Sequence, residues 1–396
     1  MKIAMLGSGF IGRFYTDSIQ GYRSKDKVVS VCSRKEENAR KFAEKYKVDH
    51  YTTDIEESIS HPNVEVVCVS LPNNLHEEAV MLCCKHKKPV LVTKPLGRNA
   101  EEAFRMLEAV EKAGIFNGYL EDLVYTPKYL KAEESIRNGA LGRILWAKSR
   151  ETHPGPHSDW FWDKSQSGGG CILDLGCHCV EIARGYIGKD IRPLEVMCWA
   201  DTQVKPIEAE DHAIGLVKYE NGAIGQFEVS WTFRGGLDLR DEVMGTEGTV
   251  WINGFLRTGM DMFSTGKGSD YVSEKSESNT GWMFPVGDEL NELGYNHMFA
   301  DMFDSLENGK SPSETFYDGY VVNAVLDAAL RSAQTRIWEP VDLKVWRGKT
   351  GVSKENYQQS YDDQFYLVKE EMTHYGTKKL ILKDKKTGKI VEKIVD

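Results

Sequence analysis

The stretch that decides the fold lies at the N-terminus: Lys2-Ile3-Ala4-Met5-Leu6-Gly7-Ser8-Gly9-Phe10-Ile11-Gly12. Lys2 to Leu6 reads as a short apolar strand, Gly7 to Gly12 as a glycine turn, and an amphipathic segment from about Arg13 to Gln20 follows at once. Strand, glycine turn and helix in that order form the context in which GxGxxG signals dinucleotide binding. Gly7 permits the tight turn, Gly9 lets the backbone approach a pyrophosphate, and Gly12 lets the helix pack on the strand. Phe10 and Ile11 belong to the same turn. The phosphates are expected on free N–H groups at the helix N-terminus.

Outward from that turn the pattern repeats. Val28 to Cys32 is the second strand, Glu36 to Tyr46 a helix, Val64 to Leu71 a buried parallel strand, Glu77 to Lys87 a helix, and Pro89 to Val92 another strand. Alternation at these lengths predicts a doubly wound α/β sheet. After the second strand an NAD-binding protein usually places an acidic residue against the adenosine ribose. Ser33-Arg34-Lys35 stands here instead. A hydroxyl followed by two cations suits a 2′-phosphate, so the cofactor is NAD or NADP with a lean towards NADP. The loop Leu71 to His76, containing Pro72 and Asn73, lies at the carboxyl edge, where such sheets bind ligands, and so does Lys94, with Pro95 stiffening the turn behind it.

A second informative stretch is Ser167-Gly168-Gly169-Gly170-Cys171-Ile172-Leu173-Asp174-Leu175-Gly176-Cys177-His178. Three glycines lead an apolar-rich segment which, if helical, places Asp174 and His178 one turn apart on one face. Cys171, Cys177, His178 and Cys179 also raise a zinc site. Neighbours one and two apart on a helix diverge, and no second CxxC or HxxxH completes four ligands, so no metal is expected.

These residues resemble one family in particular, the glucose-fructose oxidoreductase and inositol dehydrogenase superfamily called Gfo/Idh/MocA. Its members carry an N-terminal GxGxxG, a Pro-Asn-x-x-His loop, a Glu-Lys-Pro turn and an Asp-x-Gly-x-His helix after glycines. The present versions are Gly7 to Gly12, Pro72-Asn73-Asn74-Leu75-His76, Thr93-Lys94-Pro95 and Asp174 to His178, and the agreement runs over residues 1 to 342. Thr93 departs from the usual Glu. The resemblance implies that Pro72, Asn73, His76 and Lys94 contact the cofactor. It also implies that Lys94, Asp174 and His178 do the chemistry of alcohol oxidation: His178 as base, Lys94 stabilising charge on the substrate oxygen, Asp174 orienting the hydroxyl.

The second half of the chain predicts a C-terminal α+β domain with a large, mainly antiparallel open sheet, from alternating segments at Arg143 to Arg150, Glu195 to Thr202, His212 to Tyr219, Ala223 to Thr232, Asp238 to Gly245 and Thr249 to Ile252. Helical patterns span Pro127 to Asn138, Glu289 to Leu306 and Tyr317 to Thr335. Glu151 to Trp162 reads as a loop. Its His153, His157, Trp160 and Trp162 have the composition of a sugar pocket, although the tryptophans could equally bury themselves beneath the loop. Trp231, Arg234, Asp238 and Arg240 face either substrate or a neighbouring subunit. Beyond Asp342, Gly348 to Asp362 is loop-like, Asp363 to Thr373 is expected as a short helix, and Lys379 to Leu382 pairs with Ile390 to Ile394 about a Lys386-Thr387-Gly388 turn. That hairpin is expected to dock on its own subunit or a neighbour. The expected domains are residues 1–122, a Rossmann dinucleotide-binding domain; 123–342, a substrate-binding and oligomerisation domain; and 343–396, an extension.

Composition bounds the function. In 396 residues, 41% hydrophobic and 28% charged, a globular protein of more than one core is expected. A net charge of −10 argues against nucleic acid, and the basic run Lys378 to Lys389 is interrupted by Asp384. No apolar run is long enough to cross a bilayer, and the four apolar residues between Lys2 and Gly7 make no signal-peptide core, so a cytoplasmic protein with reduced, buried thiols is expected. The leading expectation is a homo-oligomeric (dimeric or tetrameric) NAD(P)-dependent dehydrogenase acting on a secondary hydroxyl of a sugar, glycoside (C3 position favoured) or cyclitol. A glycosidase using transient oxidation with a retained NAD, and a non-catalytic sugar- or cofactor-binding protein, are the alternatives.

Overall fold

The structure is a computed structural model that describes residues 1–255, 260–265, 280–354 and 358–395. Two compact units divide the chain, Met1–Val352 and Ser353–Asp396.

In the first unit, β1 (Lys2–Leu6), β2 (Lys27–Cys32), β3 (His50–Thr52), β4 (Val66–Val69), β5 (Val90–Thr93) and β6 (Asn117–Leu120) form a six-stranded sheet in the order β3-β2-β1-β4-β5-β6. Every neighbouring pair is parallel. β4 and β5 are buried along their whole length, which is why they read as unbroken apolar runs rather than alternating ones. Strand order reverses between β1 and β4, opening a crevice at their carboxyl ends. The helix after β1 spans Phe10–Tyr22 and buries Gly12, Tyr15, Thr16 and Ile19, one stripe at helical spacing. It starts earlier than its polar pattern suggests because the glycine turn feeds straight into it.

A second sheet, of seven strands, comprises β7 (Ile144–Thr152), β8 (Pro193–Asp201), β9 (His212–Tyr219), β10 (Ile224–Ser230), β11 (Asp238–Gly245), β12 (Thr249–Asn253) and, after the small ribbon of β13 (Met262–Ser264) and β14 (Gly281–Met283), β15 (Glu339–Pro340). Its order is β12-β11-β7-β10-β9-β8-β15. All pairings are antiparallel except β7 with β10. The β9–β10 hairpin turns at Asn221-Gly222, with Gly222 at φ +84°. Helices Gly176–Ile187 and Phe316–Thr335 pack on one face of this sheet, whereas Trp199, Ile214 and Trp251 on the other are exposed.

Two helical expectations are corrected. The segment from Cys171 is not one helix: Cys171–Asp174 and Gly176–Ile187 are separate, interrupted at Leu175. The Asp174 carbonyl at the break accepts a hydrogen bond from the Lys94 ammonium, 2.8 Å away. Likewise the Glu289 to Leu306 pattern divides into Glu289–Glu292 and Tyr295–Glu307 around Gly294, whose φ is +85°. A Cβ at Gly294 would lie 2.2 Å from the Asp122 carbonyl oxygen, so only glycine fits that close approach.

The second unit is a three-stranded antiparallel sheet, β16 (Phe365–Met372), β17 (Lys378–Asp384) and β18 (Ile390–Val395). The expected hairpin is β17–β18, with Asp384 accepting from the Lys386 and Thr387 N–H groups at 2.9 and 2.7 Å. Asp363 to Thr373 is not a helix. Most of it is β16, because the Phe365-Tyr366-Leu367-Val368 run favours a pleated surface, and pairing with β17 outweighs the helix preference of Lys369-Glu370-Glu371-Met372. Residues 355–357 of the expected Gly348 to Asp362 loop lie outside the described residues.

All eight thiols are free; Cys84 is half-buried and the other seven are buried. Among the described residues, no helix is long and apolar enough to cross a membrane.

Candidate active site

A cavity of about 960 Å³ runs from the glycine turn to the helix that starts at Gly176. At one end it is lined by Gly7, Ser8, Gly9, Phe10 and Ile11, then Ser33, Arg34, Lys35, Pro72 and Asn73. Gly7 has φ +111°, and a Cβ there would meet the Ser70 carbonyl oxygen at 2.3 Å; a Cβ on Gly12 would meet the Gly7 carbonyl at the same distance. A Cβ on Gly9 would meet nothing within 4 Å. Gly7 and Gly12 are therefore needed by the turn itself, and Gly9 faces open space. The helix starting at Phe10 has no side-chain N-cap, so its first N–H groups suit a phosphate.

Ser8 donates to Ser33 at 2.8 Å, closing the rim between the first two strands. Asn73 donates to the Ser167 carbonyl at 2.8 Å and ties this rim to the triple-glycine segment. His76, expected to contact cofactor, does not line the cavity. It is fully buried, its ring nitrogens 2.9 Å from the Leu71 carbonyl and 3.1 Å from the Leu96 carbonyl, so it braces the loops after β4 and β5.

At the other end the cavity is lined by Lys94, Asp122, Glu151, Asp174 and His178. Lys94 leaves the end of β5 and donates to Asp174 Oδ1 at 2.9 Å. Asp174 Oδ2 accepts from the Trp231 indole Nε1 at 3.0 Å, and Trp231 is fully buried. His178 projects from Gly176–Ile187. Its Nδ1 hydrogen-bonds Glu121 Oε1, and its Nε2 is 4.0 Å from Glu151 Oε2. The sequence reading brought Lys94, Asp174 and His178 together, and the structure places all three on this wall. It missed Glu121, Asp122, the carboxylate of Glu151 as a wall residue, and the Trp231 support.

Burial opposes charge on Lys94, but Asp174 beside it wins and holds the ammonium well above its usual pKa. Burial, reinforced by Lys94, pushes His178 down to about 3. Burial raises Glu121 to about 8, Asp122 to about 7 and Glu151 well above the usual range, although Lys94 opposes each of these rises. The site thus pairs one fixed cation with a neutral imidazole and two carboxyl groups, Glu121 and Asp122, that titrate near neutrality, the combination expected of acid–base machinery.

Thr93, where the resembling pattern has Glu, hydrogen-bonds Tyr15 at 2.7 Å, and both line the cavity. At the mouth, Trp160 stacks on Phe161 with centroids 3.7 Å apart, and the His157 ring lies 4.7 Å from Phe10. His153, His157, Trp160 and Phe161 line the cavity, joined by Leu237 and Leu239. Trp162 does not; it packs edge-on against Trp231 at 5.4 Å, beneath Lys205. Trp160 thus lines the cavity, whereas Trp162 is half-buried against Trp231.

Among the described residues, two groups of potential metal donors converge to within 4.8 Å, Glu121 with Cys177 and His178, and Glu181 with Glu314 and Asp318. In the first, the imidazole and the carboxylate are hydrogen-bonded to each other. In the second, Arg184 contacts Glu181 at 2.8 Å and Asp318 at 3.0 Å, and Lys189 pairs with Glu181 and Glu314, so protein cations balance the charge.

A Rossmann sheet joined to an open-faced second sheet, with lysine, aspartate and histidine converging at the nucleotide crevice, defines a class of dinucleotide-dependent oxidoreductases. A model described as "Oxidoreductase family, NAD-binding Rossmann fold" matches residues 1–118, and one described as "GFO/IDH/MocA C-terminal domain" matches residues 129–251, together more than half of the chain. The chain belongs to the Gfo/Idh/MocA oxidoreductase family. It is 25% identical over 387 residues to levoglucosan dehydrogenase of Pseudarthrobacter phenanthrenivorans, covering 86% of this chain and 98% of that one. It is 28% identical over 265 residues to myo-inositol 2-dehydrogenase of Thermotoga maritima, covering 65% and 77%. Among solved structures, GenD2 from gentamicin A biosynthesis, in complex with NAD, is similar with a TM-score of 0.81 and 29% identity over 87% of this chain and 97% of that one.

Proposed function

We propose that this protein oxidises a secondary hydroxyl of a sugar, glycoside or cyclitol with a nicotinamide dinucleotide, the C3 hydroxyl of a glycoside being the favoured target. The observation that carries the reading is the Lys94–Asp174 hydrogen bond, which joins the carboxyl edge of the nucleotide-binding sheet to the segment bearing His178. When bound, the nicotinamide supplies the hydride acceptor. Lys94, held charged by Asp174, binds the substrate oxygen and stabilises its developing negative charge. His178 takes the hydroxyl proton through Nε2, the ring nitrogen on the side of the cavity-lining Glu151. Glu151 Oε2 is buried with no hydrogen-bond partner among the described residues, and it suits a neighbouring hydroxyl of a polyol. The Trp160–Phe161 stack with Leu237 and Leu239 supplies an apolar wall for a sugar C–H face or an aglycone.

The relatives' names support the sugar and cyclitol class, and GenD2's NAD supports NAD over the NADP lean of Ser33-Arg34. The exposed sheet face bearing Trp199, Ile214 and Trp251 supports self-association, which light scattering of the purified protein tests. The activity is tested by incubating the protein with NAD or NADP and a panel of sugars, glycosides and cyclitols. Reduced nicotinamide with a product lighter by two hydrogens is the expected result, and NMR of that product locates the ketone. Absence of both products across the panel sinks the reading. Release of free aglycone without net nicotinamide reduction turns it towards oxidation-assisted glycosidase chemistry.

A further inference from the structure

We propose that Glu121 is the positioning residue of His178, and that the two side chains hold and release the catalytic proton as one unit. This rests on the dehydrogenase reading above. Glu121 follows β6, is 0% exposed and does not line the cavity, so it meets His178 from behind, at Nδ1, and leaves Nε2 towards substrate. That bond settles which nitrogen carries the ring proton. With Glu121 ionised, Nδ1–H donates to it and Nε2 keeps its lone pair. With Glu121 protonated, the carboxyl donates to Nδ1 and Nε2 carries the hydrogen. An imidazolium beside a carboxylate has the same proton count, and Nε2 is again protonated.

In the oxidation step the alcohol O–H bond breaks and an N–H bond forms at Nε2, while the Nδ1 proton shifts to Glu121 Oε1. The hydride, with its electron pair, is the nicotinamide's share. Without Glu121 the buried ring would have to become a free imidazolium next to Lys94. The second oxygen, Glu121 Oε2, is buried with no hydrogen-bond partner among the described residues, so nothing on that side fixes the carboxylate in its charged form.

The pair answers to several charges. Lys94, Asp122, Glu151, Asp174 and Cys177 surround His178, and Lys94, Glu181 and Lys189 act on Glu121. Burial, with Lys94 opposing, brings Glu121 to about 8, so Nε2 is free for base chemistry above that pH.

The test is long-range ¹H–¹⁵N NMR of His178 in the full-length protein, as wild type, Glu121→Gln and Asp122→Asn, alongside pH–rate profiles. In the wild type, Nε2 should lose its proton near pH 8, with turnover rising over the same interval. In Glu121→Gln that transition should vanish, and turnover should fall by about 100-fold with little change in KM. Asp122→Asn should keep the transition. Unchanged nucleotide affinity and a cooperative melt in Glu121→Gln separate proton handling from misfolding. If that variant is unstable, Glu121→Asp, with a shortened acid, should restore a displaced transition. A transition that persists in Glu121→Gln, or that disappears in Asp122→Asn instead, overturns the proposal. The NMR signature needs no substrate, so it stands or falls even if the sugar panel yields nothing. Conversely, active wild-type enzyme without the signature refutes Glu121's role alone.

Discussion

Trp231 holds Asp174 from the side opposite Lys94: its indole Nε1 reaches Oδ2 at 3.0 Å while the ammonium takes Oδ1 at 2.9 Å. The carboxylate is thereby fixed in orientation by one neutral donor just after β10 and one charged donor just after β5. Trp231→Phe deletes the neutral donor within a fully buried contact. A stability loss of about 1–3 kcal/mol is expected from weakening a buried hydrogen bond. Denaturant melts measure it, and a loss of turnover exceeding the loss of nucleotide affinity would show that the aspartate's orientation matters for chemistry.

Lys94→Met removes the fixed cation but preserves the stem. Turnover should drop by roughly 100- to 1000-fold, the range for losing an oxyanion-stabilising donor. Isothermal titration with NAD should find binding retained within a few-fold, since the glycine turn is untouched. A variant that oxidises sugars at the wild-type rate would remove Lys94 from the mechanism.

Gly7 and Gly9 of the turn should respond differently. Gly7→Ala places a Cβ 2.3 Å from the Ser70 carbonyl at φ +111°, so a marked fall in melting temperature is expected. Gly9→Ala meets nothing within 4 Å and should melt like wild type without nucleotide, yet bind NAD more weakly. Equal melting temperatures with equal NAD affinity would mean that the turn does not face the pyrophosphate.

Stability should fall as pH rises from about 5 towards 8. In that window the unfolded chain has already lost protons that the fold retains on Glu121, raised from 4.5 to about 8, and Asp122, raised from 3.8 to about 7. More protons bound in the folded state means stability lost with increasing pH. His178 acts in the opposite sense: lowered from 6.5 to about 3, it withholds in the fold a proton that the unfolded chain binds, so acid costs stability below about 6.5. Calorimetric melts across this range should show the decline, and Glu121→Gln should flatten its upper part.

The Rossmann half was legible because each of its signals is local. Glycine turn, buried strand and amphipathic helix are complete within a dozen residues, and the Lys94 turn sits directly after a recognisable strand. Asp174 and His178 were legible as a spaced pair, but the break at Leu175 was not, and neither was the hydrogen bond that the Asp174 carbonyl there accepts from Lys94, 80 positions away. Glu121 and Trp231 each lie 57 residues from the side chain they support. No periodicity connects such positions. For Glu121 a signal did exist: Glu121-Asp122 follows the last parallel strand, and the carboxyl-edge rule that singled out Lys94 applies equally there. The β16 strand was missed because Lys-, Glu- and Met-rich segments suit a helix until a neighbouring strand offers a ladder.

The free thiols give the molecule a built-in reporter. Burial pushes Cys68 and Cys83 above the ordinary thiol range, and Cys177 and Cys179 under the catalytic wall well above it, which suppresses the reactive thiolate as well as access to it. An alkylating reagent should therefore mark Cys84 first and reach Cys177 only when the wall opens. The labelling rate at Cys177, read by peptide mass, becomes a clock for breathing of the active site, and dinucleotide binding should slow it.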